Sequence, residues 1–355
     1  MDGSGNHDDL AQSFRSWLCQ RLDIPALDLS DFEVPGHGGM SHDSLLCSAR
    51  WSGDQGPRQL ELVVRIEPAE PHIFPRYDLS AQARVMQLLK EHTQIPVPKV
   101  LWSESDSAVL GRPFFVMERV AGEVPSDNPP FLVGGWLHDA TPQEQATAQS
   151  SLVDQLAGLH RLDWQELGFD FLDRAQFGAL GLDQDLGYWR HYLDWMSEDG
   201  ELPVLEAVYE WCAKHAPTQT GPTVLNWGDA RYGNVIYGED FWPAAIIDWE
   251  MALLGPAEID LGWFLFLHDT ALMWLKDLPG FVGREELVSF YAKALGRELR
   301  DLHFFEVWAG FRAAAIRARL VQCDYQRGVC KDLKQQERSP VVLSLRRLIE
   351  LPEAK

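Results

Sequence analysis

The sequence predicts an α+β protein in two parts, a small strand-rich one over residues 1–121 and a large, mainly helical one over residues 122–355. Three observations carry this. Short alternating segments with Gly-rich turns dominate up to Gly122, helical periodicity dominates after it, and a Pro-rich connector, PSDNPP, opens the second part at Pro125. At 355 residues the chain is ample for two hydrophobic cores.

Taken in order, Asp8 to Leu22 reads as a helix, with Leu10, Phe14, Trp17 and Leu18 on one face. Asp31–Pro35, Ser44–Trp51 and Gln59–Ile66 read as strands. Leu79–His92 returns to helical spacing, with Val85, Leu88 and Leu89 as its apolar stripe, until Ile95-Pro-Val-Pro interrupts it. Strands follow at Val100–Ser103 and Phe114–Val120. In the second part Thr141, followed by Pro142, has the chemistry of an N-cap and first helical position, and its helix runs to His160. Further helices are predicted at Asp185–Trp195, Leu205–His215, Glu285–Ala294, Leu302–Gln322 and Ser339–Leu351. Two short strands, Val235–Tyr237 and Ala244–Ile247, flank a turn at Gly238, and Cys330–Arg338 reads as a surface loop.

Composition excludes some functions. Lys and Arg number 31 against 53 Asp and Glu, a net charge of −22, which opposes nonspecific nucleic-acid binding. The most apolar stretch, Trp242–Leu275, carries Asp248, Glu250, Glu258, Asp260 and Asp269, too many carboxylates for a membrane span. The polar start, MDGSGNHDDL, does not read as a secretory signal. Five scattered cysteines without metal-site spacing suit reduced thiols. A soluble, cytoplasmic protein is the expectation, with its oligomeric state unreadable.

The chemistry concentrates in residues 226–263, NWGDARYGNVIYGEDFWPAAIIDWEMALLGPAEIDLGW. Four residues separate Asp229 from Asn234, and Asp248 ends an apolar strand. Phosphoryl transfer needs a carboxylate to orient the attacking hydroxyl and hard oxygen ligands for Mg²⁺, and these residue types supply both.

The D-x-x-x-x-N spacing, then I-D-W-E, then a Gly-Pro-x-x-x-D-L-G run resemble the catalytic core of the aminoglycoside phosphotransferase superfamily. Within it the chain resembles an actinobacterial phosphotransferase group related to the kinase-like domains fused to acyl-CoA dehydrogenases. The likeness extends from GGMSHDSLL through FFVMERVAGEVP and LAGLHRLDW to the C-terminal helices. It implies a bilobal protein-kinase-like fold, with a small antiparallel-sheet N-lobe, a large helical C-lobe, and ATP and Mg²⁺ between them. The implied reaction is transfer of the γ-phosphoryl group to a hydroxyl of a small molecule, an aminoglycoside, an amino alcohol or a hydroxyacyl compound. Asp229 would be the catalytic aspartate, Arg231 a charge-stabilising partner, and Asn234 and Asp248 the Mg²⁺ ligands. Gly38, Gly39 and Ser41 would approach the phosphates, and the backbone around Met117, Glu118 and Val120 would meet the adenine.

Three positions depart from that pattern. Arg65 stands where a phosphate-binding lysine is usual, Gln82 where its glutamate partner is usual, and Trp227 where the broader family has histidine. Arg65 retains the charge with a different geometry, and Gln82 can bond it without neutralising it. Trp227 can donate a hydrogen bond but not accept one, which bears on how the loop is held. Together they motivate the alternative of a regulatory pseudokinase that binds nucleotide without transferring phosphate. A protein kinase is disfavoured because only seven residues separate Glu250 from Glu258, too few for an activation loop. There is no P-loop motif and no G-x-S-x-G elbow. Asp260 reads as a helix cap or an anchor of the catalytic loop, His160 as a structural histidine, and His268 with Asp269 as a helix-end pair. Trp189, Trp195, Trp263 and Trp274 are candidates to line a substrate pocket, with core packing the competing use.

Overall fold

Leu10, Phe14, Trp17 and Leu18 recur at helical spacing and form the apolar face of α1 (Ser4–Leu22). In this computed structural model, which describes residues 4–34, 43–53 and 56–349, α1 packs on a five-stranded antiparallel sheet. Its strands are β1 (Asp28–Leu29), β2 (Asp43–Gly53), β3 (Gly56–Ile66), β4 (Val100–Glu104) and β5 (Phe114–Glu118), in the order β1-β2-β3-β5-β4. Alternation along β2 and β3 sends Leu45, Cys47 and Ala49 to the same core as Leu62, Val64 and Ile66, where Phe14 and Trp17 meet Phe114. The strand expected at Asp31–Pro35 is, over its described residues 31–34, only an isolated bridge from Glu33 to Leu46: Phe32 alone packs on the core, beside Phe14, while Val34 is largely exposed. α2 (Leu79–His92) starts where the Asp78 carboxylate accepts the Ala81 N–H, and α3 (Ser107–Leu110) is a single turn before β5.

The chain divides into two compact units, Met1–Glu70 with Tyr77–Ala121, and Pro71–Arg76 with Gly122–Lys355. The second unit is helical apart from two small sheets. After α4 (Trp136–Asp139), α5 (Pro142–His160) begins with a capping box: Thr141 accepts the Glu144 N–H while the Glu144 carboxylate accepts the Thr141 N–H. α6 (Leu182–Ser197) and α7 (Pro203–His215) follow. β6 (Thr223–Asn226) pairs with β9 (Leu253–Pro256), and β7 (Val235–Tyr237) pairs with β8 (Pro243–Ile246). The β6–β9 pair is absent from the sequence expectations, since four-residue apolar runs are too short to display a period. The remaining helices are α8 (Glu258–Leu272), α9 (Arg284–Leu295), α10 (Leu302–Gln326) and α11 (Pro340–Leu348).

α8 has buried residues on every side, the mark of a helix at the centre of a core. Its partner is α10. A Cβ on Gly262 would come within 2.7 Å of the Phe305 backbone, so only glycine permits so close a crossing. At the start of α8, Glu258 is fully buried and takes a two-pronged ion pair from Arg297, which fixes that end of the helix. Among the described residues no helix is long and apolar enough to cross a membrane.

Candidate active site

The loop from Trp227 to Asn234 joins β6 to β7, and its path is set by hydrogen bonds before any ligand is considered. Asp260, in the first turn of α8, accepts the Trp227 N–H at 2.6 Å and the Gly228 N–H at 2.7 Å. His160 of α5 meets the same carboxylate at 3.1 Å and the Tyr291 hydroxyl on its other ring nitrogen. Burial, with Asp260 and Glu258 close by, holds the Tyr291 phenol well above its ordinary pKa, so it stays a donor. Asp260 therefore anchors the loop and is not the helix cap, a position taken by Ala257. Gly228 sits at φ +91°, and a Cβ there would lie 2.0 Å from the Met251 carbonyl, so the turn before Asp229 requires glycine.

Asp229 is reached from three directions. Asn234 donates its amide N–H to Oδ2 at 2.6 Å, Arg231 donates Nε–H to the same oxygen at 3.3 Å, and Trp263 donates its indole N–H to Oδ1 at 2.8 Å. Arg231 also pairs with Asp127 at 2.5 Å. Burial works against the guanidinium charge, but Asp229, Asp127 and Asp248 outweigh it and keep the Arg231 pKa above its usual value.

Asp248 joins this group through the β7–β8 hairpin. The register sets Val235 opposite Ile246, and the Ile247 N–H donates to the Asn234 carbonyl at 3.0 Å. Asp248 follows at φ +63°, a left-handed conformation rare for a residue with a Cβ. Trp227, the departure that bore on loop positioning, is 1 % exposed and donates its indole N–H to the carbonyls of Ile247 at 2.9 Å and Asp248 at 3.2 Å. Its indole thus ties the Asp229 loop to the Asp248 segment.

The other predicted positions lie in the first unit. Arg65 on β3 and Gln82 on α2 are both buried. Met117 is buried in β5, and the Glu118 N–H is already used, donating to the Lys99 carbonyl at 2.9 Å; Val120 follows the strand's end. Gly38, Gly39 and Ser41 lie outside the described residues.

Several contacts are not legible in the motif. Arg312 of α10 is fully buried between the rings of Trp189 and Trp263, and donates Nη2–H to the Gly228 carbonyl at 3.1 Å. Among the described residues its Nε and Nη1 have no hydrogen-bond partner, and it lines a cleft of about 20 Å³ with Arg174, Asp185, Tyr188, Trp189 and Glu250. That space is near the size that holds one water. Burial pushes the Tyr188 phenol up to about 12. A signal for Arg312 was present, a lone arginine inside the apolar run Phe311–Ile316. His268 and Asp269 do not pair with each other: His268 bonds Asp277, and Asp269 bonds Arg284. Of the other tryptophans, Trp195 is half-buried beneath Arg319 and Trp274 is exposed.

Known proteins share both the sequence pattern and the fold. The chain is 26% identical over 318 residues to the rat acyl-CoA dehydrogenase family member 11, covering 83% of this chain and 39% of that protein. It is 26% identical over 269 residues to the mouse acyl-CoA dehydrogenase family member 10, covering 72% of this chain and 24% of that protein. The chain thus spans well under half the length of these relatives. Among solved structures, a Ralstonia eutropha protein assigned to the aminoglycoside phosphotransferases matches with a TM-score of 0.67 at 20% identity, covering 96% of this chain and 99% of the other. Plasmodium vivax ethanolamine kinase matches with a TM-score of 0.58 at 12% identity, covering 91% and 83%. The fold is the bilobal α+β fold of the protein-kinase-like proteins. With the family model matching residues 48–279, the chain belongs to the phosphotransferase enzyme family.

Proposed function

We propose that this member of the family transfers the γ-phosphoryl group of ATP to a hydroxyl of a small molecule, with Asp229 as the residue that takes the hydroxyl proton. The observation that carries the reading is the convergence of Asp229, Asn234 and Asp248, joined by one loop and one hairpin, with Arg231 on the Asp229 carboxylate. In the reaction the acceptor O–H bond breaks as its oxygen bonds to the γ-phosphorus. The bond from that phosphorus to the β–γ bridging oxygen breaks in turn, ADP leaves, and the proton passes from Asp229 to water.

The donor set suits Mg²⁺. Asn234 uses its amide N–H on Asp229, so the amide oxygen is the end left to face a cation, and Asp248 adds a carboxylate. When bound, the ion offsets phosphate charge. Arg231, held between Asp127 and Asp229, is placed to shift one of its donors onto a phosphate oxygen as charge develops. Gly38, Gly39, Ser41 and Arg65 are the proposed phosphate contacts, with Gln82 as the proposed partner of Arg65. Because the Glu118 N–H is occupied, the Glu118 carbonyl and the Val120 N–H are the backbone groups proposed for the adenine edge.

The acceptor is proposed to bind in the second unit, beside Asp229; the water-sized cleft at Arg312 is too small to hold it. The curated relatives are acyl-CoA dehydrogenase family members, which keeps a hydroxyacyl acceptor in the proposal, and the names of the two solved structures add an aminoglycoside and an amino alcohol. The test is ATP consumption with Mg²⁺ across a panel of these acceptors, for the native protein and Asp229→Ala. Turnover on one class that disappears in the variant supports the reading and names the acceptor. ATP binding without acceptor-dependent turnover across the panel would favour the pseudokinase that Arg65, Gln82 and Trp227 motivate.

A further inference from the structure

One face of α8 grips three consecutive residues of the catalytic loop. Asp260 and Trp263 are three apart on that helix, so their side chains project from the same side. The Asp260 carboxylate takes the backbone N–H groups of Trp227 and Gly228, and the Trp263 indole reaches the side chain of Asp229. The three donors on Asp229 are not equivalent. Asn234 and Arg231 both address Oδ2, lie within five residues of Asp229, and have competing work on a cation or a phosphate. Among the described residues Trp263 alone addresses Oδ1; it comes from a buried helix and is only 4 % exposed.

Resting on the reading of Asp229 as the proton acceptor, we propose that Trp263 is the positioning residue of the reaction. Its indole N–H holds Oδ1 while Asn234 and Arg231 hold Oδ2, which fixes the plane of the carboxylate that is to receive the acceptor's proton. Indole nitrogen donates and never accepts, so this contact fits a carboxylate oxygen and opposes rotation that would bring a protonated oxygen against it. The indole is itself fixed. The Arg312 guanidinium carbon lies 5.0 Å from its ring centroid, and that side chain bonds the Gly228 carbonyl one residue before Asp229. Loop backbone and reactive carboxylate are thereby referred to the same pair of helices, the preorganisation that a rigid scaffold confers on a reacting group.

The test uses the full chain in two arms. In the first, tryptophan indoles are ¹⁵N-labelled and the Trp263 resonance is identified by its loss in Trp263→Phe. Asp229→Ala, which leaves the indole in place, is expected to shift that resonance and speed its exchange with water. An unchanged resonance would overturn the proposal. In the second arm the Trp263 indole is replaced by benzothiophene, which keeps the ring shape and deletes the N–H. With MgATP and the acceptor found in the panel, kcat should fall about 10- to 100-fold with the KM for ATP changed less than about twofold. Full retention of kcat, or a loss seen equally in KM, would overturn it. If the native protein consumes no ATP beyond Asp229→Ala, the phosphotransfer reading fails on its own, and the indole resonance still decides whether Trp263 holds Asp229.

Discussion

Replacing Asp260 by asparagine leaves the side chain's shape intact and changes what its two edges can accept. In the native protein one oxygen takes the Gly228 N–H, while the other takes the Trp227 N–H and meets His160, all without exposure to water. An amide has one oxygen. Whichever way it turns, its N–H₂ faces at least one buried backbone N–H. Taking the acceptor away from a buried N–H costs about 1–3 kcal/mol, and more where that acceptor was charged, so the expected loss is about 2–4 kcal/mol. Two units need not unfold together, so a single global midpoint is the wrong assay. Hydrogen exchange of the peptide spanning Thr223–Asn234 reads the loop directly, and 2–4 kcal/mol corresponds to roughly 30- to 1,000-fold faster exchange at Trp227 and Gly228. Acceleration below about threefold at both amides would refute the claim that Asp260 holds the loop.

Two further outcomes follow from named contacts. Arg231→Ala should lower kcat about 100- to 1,000-fold in the ATP-consumption assay, with Arg231→Lys recovering part of it; an unaffected kcat would remove Arg231 from the chemistry. Glu104 accepts from Trp17, the Asp106 N–H and Arg21, in that order of effect, and they hold its pKa at about 2 against an ordinary 4.5. Its folded pKa is the lower one, so its contribution to stability is full above about pH 4.5 and is lost as pH falls toward 2. Urea unfolding of the first unit, followed by hydrogen exchange of its β2 and β3 peptides at about pH 3 and about pH 6, should show a smaller acid-induced loss in Glu104→Gln than in the native protein, and an equal loss would contradict the assignment.

What was legible in the sequence depended on the range of the interaction. α2 matched its predicted span, Leu79–His92, and α5 its predicted span from Pro142 to His160, because apolar spacing and Thr141-Pro142 are local signals. Asp229, Asn234 and Asp248 were legible together because a short loop and a tight hairpin bring them into one place. The identity of Trp227 signalled a change at the loop, but not that its indole reaches the Ile247 and Asp248 carbonyls some twenty residues on. Trp263, Arg312 and Asp127 were illegible as partners of the Asp229 loop for the same reason. Their distances to it are set by helix packing and by the connector's path, and neither leaves a periodic trace. β6 and β9 were too short to announce themselves, yet their pairing sets where the loop begins.

Gly262 stands between Asp260 and Trp263 in the chain, turned toward α10 at a crossing with no room for a Cβ. Any side chain there must push the two helices apart, and α8 would carry its two grips with it. A substitution that touches none of the proposed reacting groups would then cost folding stability and displace both grips on the Asp229 loop together. The tolerance of this site is thus set like that of a hinge pin, by clearance at the bearing and not by distance from the load.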